Sequence, residues 1–417
     1  MHDAGSVSAP TSVPLEAVFA SVLAEAAPVT VWDASSGTSL FSHKNNQSPL
    51  GGLVVGGEHV FAAQADKASV HTWMLGKEPI ASRSFVMERL SALALSPDGH
   101  FLVGGAAAGS GRLHVWHVST GALLRTWDGH YKPVTSIRFT PDGRHVVTGG
   151  EDALVHVWSL VDLTRIETLA DRVDAVRTFR EHTLAVTGLA VARDLIISVS
   201  TDRTCKVWAV DGGLVASVLL PSAPTAVTVD ECARAVFVGA MDGRIFGIDL
   251  VAFNVAAALG DAESMSERWA TFIGHDDRVL SMATAAGGAL LVTGCAAGEI
   301  KVWDTRSRQH VRSLGSKQPG PVTSLVVATR PSGLFGKARV VEKDVRPVGN
   351  LQKFSVLAKD ESATSFLEDL SIKVPEDVDV ARIARETGDE DLLGYLEIEK
   401  WTRAPMPILP EMLMDLE

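Results

Sequence analysis

Apolar and polar residues alternate with a period of two through many short stretches of this chain, which predicts half-buried strands. Seven of these stretches end in a recurring slot: Val31-Trp32, Thr72-Trp73, Val115-Trp116, Val157-Trp158, Val207-Trp208, Gly247-Ile248 and Val302-Trp303. The slots lie 41, 43, 42, 50, 40 and 55 residues apart. The fullest unit runs from Trp127 to Thr164, with strands at Val134–Phe139, His145–Thr148 and Leu154–Trp158. Its turn, Thr140-Pro141-Asp142-Gly143, returns as Ser96-Pro97-Asp98-Gly99 one unit earlier; proline presets φ and glycine accepts positive φ. A unit of this size cannot bury both faces alone, so neighbouring units must stack. The pattern predicts an all-β, seven-bladed propeller with four strands per blade.

The chain ends carry the closure. Only one strand, about residues 16–24, precedes the strand ending at Trp32, so the first blade is a strand short. Residues 321–329, Pro-Val-Thr-Ser-Leu-Val-Val-Ala-Thr, alternate like a blade's first strand and are expected to pair with the N-terminal one. Such closure removes sheet edges that would invite aggregation. Two insertions, 161–181 and 251–270, interrupt the spacing and are expected between blades, as tolerated loops or as binding elements. Domain organisation follows: a disordered Ser-, Pro- and Ala-rich start over 1–14, the propeller over 15–330, and an extension over 331–417.

The unit length resembles the WD repeat. His130, Thr148, Asp152 and Trp158 sit where that repeat places a buried hydrogen-bonded set, and His182, Ser198, Asp202 and Trp208 repeat the spacing. Hydroxyl, imidazole and carboxylate together also suggest a hydrolase triad. An internal staple accounts better for a set that recurs at blade spacing with a fixed Trp and without a Gly-x-Ser-x-Gly elbow. Asp242 keeps the aspartate place before Ile248, whereas Ala297 fills it before Trp303. His114 and His117 flank Trp116 on opposite faces of a strand, which argues against joint metal ligation.

A formal charge of -12 argues against autonomous nucleic-acid binding, which draws on Lys and Arg. Cys205, Cys232 and Cys295 have no paired spacing, so neither a disulfide framework nor a zinc site is predicted. No cofactor is called for. The apolar stretch 17–24 lacks the basic lead of a secretion signal, and no uncharged run is long enough to span a membrane.

Residues 331–417 hold 11 Lys or Arg against 18 Asp or Glu, basic first and acidic from Asp360. This separation suits a partner-contacting tail or a solvated linker. Two short helices are expected over 376–386 and 390–401, with Leu392, Leu393, Leu396 and Trp401 in a stripe. The run around Ile408 and Leu409 is broken by prolines yet too apolar for an inert end. Partner-binding candidates are therefore Arg346, Pro347, Leu351, Phe354, Leu392, Leu393, Leu396, Trp401, Ile408 and Leu409.

The stretch His130–Leu160, the degenerate slot Asp242–Leu250, Phe61-Ala62-Ala63-Gln64 and Gly320-Pro321-Val322-Thr323 resemble the WD repeat-containing protein 18 family and its fungal pre-rRNA-processing counterparts. The resemblance covers residues 16–329 and weakens to the Arg346-Pro347 neighbourhood. It implies a non-catalytic scaffold subunit of a Rix-type complex, acting in the nucleus on precursors of the large ribosomal subunit. Its implied partners are a helical-repeat scaffold subunit directly, and an AAA-type ATPase and the pre-ribosomal particle indirectly. Self-association within the complex is also implied, although Pro405 follows Trp401 too soon for several coiled-coil heptads. A generic propeller adaptor, such as a ubiquitin-ligase substrate receptor or signalling scaffold, would show the same blades, because fold alone does not set function.

Overall fold

A computed structural model of the chain describes residues 16–24, 27–75, 80–107, 109–165, 173–250, 269–315, 318–329 and 348–353. Among these residues the strands form seven four-stranded antiparallel sheets. Blade 4 shows how sequence becomes sheet. Val134–Phe139, His145–Gly150, Val155–Ser159 and Arg177–Phe179 pair in chain order. Val146 lies opposite Trp158, so their side chains share one face and are buried together. The turn after Phe139 is closed by the Gly143 N–H donating to the Thr140 carbonyl at 2.9 Å, with φ of +73° at Gly143. A residue with a Cβ would be strained there.

Blades 2 to 7 are each continuous in sequence, and blade 1 is not. Its strand order is Val322–Thr329, Glu16–Val22, Ala27–Asp33, Ser39–Asn46. Val18 pairs with Val327 on one side and Trp32 on the other. The predicted closure is therefore present: the late strand becomes the innermost strand of the blade that the earliest strands begin. Val322 and Leu325 join a buried cluster with Val18, Ala20, Trp32, Val292, Val302 and Leu314, which ties blade 1 to blade 7.

The inner strands are also linked to one another by hydroxyl groups. Ser91 donates to the Val134 carbonyl at 2.5 Å, Thr135 to Val186 at 2.7 Å and Thr187 to Pro224 at 3.0 Å. Thr225 donates to the Val279 carbonyl, Ser281 to Val322 at 3.0 Å and Thr323 to Ser48 at 3.0 Å. Each bond crosses from one blade to the start of the next, so the belt reports the ring directly. Between blades 2 and 3 the corresponding position by strand register is Gly51, which has no hydroxyl.

That seam is covered by another device. Residues 348–353, well beyond the last strand, return to it. Gly349 N–H donates to the Val118 carbonyl at 3.0 Å and Gln352 N–H to Gly121 at 2.7 Å. Leu351 N–H donates to Ser84 Oγ at 2.9 Å on the outer strand of blade 2. The fit is close enough that a Cβ on Gly121 would lie 2.1 Å from the Asn350 carbonyl oxygen. The Leu351 side chain is buried among Phe61, Val86, Leu93 and Trp116, between the two blades.

Two expectations are corrected. Leu351, expected to meet a partner, is a core residue of its own chain. The insertions lie within blades, not between them: 160–176 joins the third and outer strands of blade 4, and 250–269 does so in blade 6. Their outer strands, Arg177–Phe179 and Ala270–Phe272, are only three residues long. Contacts divide the chain into Met1–Ala358 and Lys359–Glu417, the second lying outside the described residues. Among the described residues no helix is long and apolar enough to cross a membrane.

Candidate functional site

In blade 4, His130 Nδ1 lies 3.0 and 3.1 Å from the Asp152 carboxylate oxygens, and Nε2 lies 2.8 Å from Thr148 Oγ1. The Trp158 indole N–H donates to the same hydroxyl at 2.9 Å, and Tyr131 N–H donates to Asp152 at 3.0 Å. The Nδ1 proton therefore goes to the carboxylate, and the Thr148 hydroxyl donates to Nε2. Blade 5 repeats the arrangement with His182, Asp202, Ser198 and Trp208 at 2.8 to 3.0 Å. Burial alone would raise the Asp152 carboxyl; hydrogen bonds from His130, Tyr131 and Leu154 more than offset it and hold it below the ordinary range. Asp202, opposed by burial in the same way, is brought down to about 2 by Thr204, Thr183 and His182. The neighbouring His156 is lowered to about 4, chiefly by burial.

Thr148 and Ser198 have no exposed surface, and each hydroxyl is already shared by a Trp and a His. They join strands and offer no nucleophile to a substrate. Asp152→Ala should lower stability by about 1 to 3 kcal/mol through the unpaired His130 N–H and Tyr131 N–H, read as a drop in thermal midpoint with partner binding retained. An unchanged midpoint with binding lost would reverse that assignment.

The other blades depart from the set one by one. In blade 3 Gly104 stands opposite His114, where Thr148 stands opposite His156 in blade 4. With no hydroxyl there, the Trp116 indole N–H donates at 3.0 Å to the carbonyl of Gln352 in the returning segment. His114 bonds Thr126 and Glu88, while His117 bonds Thr120, so the two histidines serve separate sites. In blade 6 Ile248 fills the aromatic slot and is buried. In blade 7 Trp303 and His275 meet on Thr293 at 2.8 and 2.7 Å, with Ala297 in the carboxylate position.

With the interior committed to staples, partner contacts fall to the surface. In an antiparallel four-stranded blade, the turn between strands two and three and the link to the next blade emerge on the same face. Links 1→2, 2→3, 3→4, 4→5 and 6→7 expose Leu50, Met87, Tyr131, Leu184 and Ile273, and second turns in blades 1 and 6 expose Leu23 and Met241. Tyr131 and Ile273 are 83% and 75% accessible, far beyond what packing within the ring requires. Half of the large exposed apolar side chains among the described residues thus lie on one face; Phe85, Leu214, Val215, Leu219 and Val311 lie on outer strands, and Val161 and Val176 flank the blade 4 insertion, which like that of blade 6 leaves from the opposite face.

None of these rim residues stood out as a site in the sequence, although Tyr131 and Leu184 follow the staple histidines directly or by two positions. Of the expected partner-binding set, only Leu351 is described. Arg346, Pro347, Phe354, Leu392, Leu393, Leu396, Trp401, Ile408 and Leu409 lie outside the described residues.

Residues 121–159, 174–209 and 266–304 match the WD domain, G-beta repeat family. The chain is 33% identical over 316 residues to Protein ROOT INITIATION DEFECTIVE 3 of Arabidopsis thaliana, covering 72% of this chain and 69% of that one. It is 31% identical over 315 residues to WD repeat-containing protein 18 of Rattus norvegicus, covering 73% and 71%. It is 34% identical over 321 residues to Pre-rRNA-processing protein IPI3 of Yarrowia lipolytica, covering 71% and 73%. Among solved structures, the computationally designed Ika8 protein superposes with a TM-score of 0.51 at 27% identity, covering 72% of this chain and 85% of that one. Seven blades, a doubly made first blade and these likenesses lead to one assignment: the chain belongs to the WD-repeat family of WD repeat-containing protein 18 and the fungal pre-rRNA-processing proteins.

Proposed function

We infer that the protein is a non-catalytic scaffold subunit of pre-rRNA processing, working in maturation of the large ribosomal subunit precursor in the nucleus. Relatives named as pre-rRNA-processing proteins support the process. The observation that carries the scaffold role is the recurrence of an exposed apolar side chain, Leu50, Met87, Tyr131, Leu184 or Ile273, on five inter-blade links of one face, where a rigid frame holds them out as anchor points for a protein partner. The helical-repeat subunit of a Rix-type complex is the partner proposed for this face. The ATPase and the pre-ribosomal particle are reached through it, and an acidic chain of charge -12 meets RNA only within the assembly.

Affinity purification of the full chain followed by gradient sedimentation tests the reading. The expected result is co-sedimentation with large-subunit precursors and co-elution of a helical-repeat protein. The Tyr131→Asp/Leu184→Asp variant should keep its thermal midpoint and lose that protein, because central apolar anchors carry most interface energy, about 2 kcal/mol or more each. Absence of the wild-type chain from precursor particles would overturn the process, and retention of the partner by the double variant would overturn the face.

A further inference from the structure

Blade 7 departs from the staple in a way that leaves a metal-ligand geometry. In blades 4 and 5 an aspartate takes the Nδ1 proton of the staple histidine. Ala297 removes that carboxylate in blade 7, and His275 Nδ1, on a residue 7% exposed, has no hydrogen-bond partner among the described residues. Two other groups approach instead. Cys295, fully buried, takes the place that Gly150 has in blade 4, and Glu299 lies two residues past the missing aspartate. One nitrogen, one sulfur and one carboxylate oxygen from His275, Cys295 and Glu299 all lie within 4.8 Å of one another.

The hydrogen bonds around Thr293 are compatible with the histidine tautomer a metal requires. Trp303 N–H donates to Thr293 Oγ1 at 2.8 Å, and the Thr293 hydroxyl is placed to donate to the Lys301 carbonyl at 3.4 Å. The 2.7 Å contact between Thr293 Oγ1 and His275 Nε2 is then filled by the Nε2 proton, which leaves the Nδ1 lone pair facing the thiol and carboxylate. A hydrogen bond from the far ring nitrogen is the usual way a protein orients a histidine ligand. Glu299 also borders an open cavity of about 450 Å³ with Gly274, Lys301, Trp303 and His310, which gives an ion a route from solvent. Against the site stands Lys301 Nζ, 2.9 Å from a Glu299 oxygen, a cation that a metal would have to displace or share.

We propose that His275, Cys295 and Glu299 form a binding site for a borderline-soft divalent cation of the zinc class, which fastens blade 7 in place of the absent aspartate. Imidazole, thiolate and carboxylate are all zinc ligands, and water completes a four-coordinate shell. Binding releases the thiol proton to solvent, so no oxidant or co-reactant is needed. Only one of the ligands is a cysteine, and His275 lies on a separate strand connection 20 residues before it, which is why cysteine spacing does not reveal them.

The test uses the full chain stripped of metal with a chelator, then titrated with Zn²⁺ against a chromophoric competitor and with Co²⁺ for a thiolate charge-transfer band. One equivalent should bind. Cys295→Ser should abolish the cobalt band, and Glu299→Gln should weaken zinc binding about tenfold or more. Ala297→Asp restores the carboxylate of blades 4 and 5; it should keep the fold and lose the metal, whereas Cys232→Ser should change nothing. Failure of the wild-type chain to take up one equivalent, or uptake unchanged by Cys295→Ser, Glu299→Gln and Ala297→Asp, would overturn the proposal.

Discussion

Ending the chain at Gly320 should abolish cooperative unfolding and leave aggregating material in place of a monomer on gel filtration. The cut removes the inner strand of blade 1, whose backbone pairs with all of Glu16–Val22. An unpaired edge of that length next to Phe19 and Val22 is a template for association with other chains. Burial of Val322 and Leu325 is lost as well, about 1.5 to 3 kcal/mol for each side chain. So is the Thr323 hydroxyl, which lies 3.1 Å from Ser21 Oγ and donates at 3.0 Å to the Ser48 carbonyl, linking blades 1 and 2. These losses fall on one seam and exceed a large part of the 5 to 15 kcal/mol that ordinarily holds a domain together. A chain ending at Arg330 keeps the closing strand and should remain a folded monomer. If the chain ending at Gly320 melts like the longer one, the ring does not depend on that strand.

Leu351→Ala should lower the unfolding free energy by about 2 to 5 kcal/mol, the usual cost of emptying a leucine-sized space in a packed core. The side chain is 4% exposed and touches the apolar groups of two blades at the seam where the hydroxyl belt has no donor. Ending the chain at Arg330 should cost at least as much, because the Trp116 indole N–H then loses its acceptor as well. A chain ending at Ala358, where the first compact unit ends, should restore full stability. Equal thermal midpoints for Leu351→Ala, the two shortened chains and the intact protein would show that the returning segment contributes nothing to the ring.

The blade count and closure were legible because they rest on short-range patterning: a Trp or Ile slot every 40 to 55 residues, and a strand missing before Trp32 that residues 321–329 could supply. The staples were legible for the same reason, since His130, Asp152 and Trp158 keep fixed spacing within one unit. Leu351 was not, because its burial depends on a groove built by Phe61, Leu93 and Trp116, more than two hundred residues earlier. The insertions were misplaced because Arg177-Thr178-Phe179 and Ala270-Thr271-Phe272 are too short to show any period. The hydroxyl belt was invisible because Thr135 or Thr187 in second place on a strand looks like ordinary polar alternation. The apolar face emerged only once topology put Leu23, Tyr131 and Ile273 at one end of the blades.

The composite first blade also sets a timetable for synthesis. Glu16–Val22 leaves the ribosome early, and the strand that covers its inner side is made about 300 residues later. At 5 to 20 residues per second, that strand waits roughly 15 to 60 s with one side bare while six further blades form beside it. Nascent chains of this protein therefore spend most of their production time as an open arc, and a chaperone that shields Val18 and Ala20 during that interval would raise yield without altering the stability of the finished molecule.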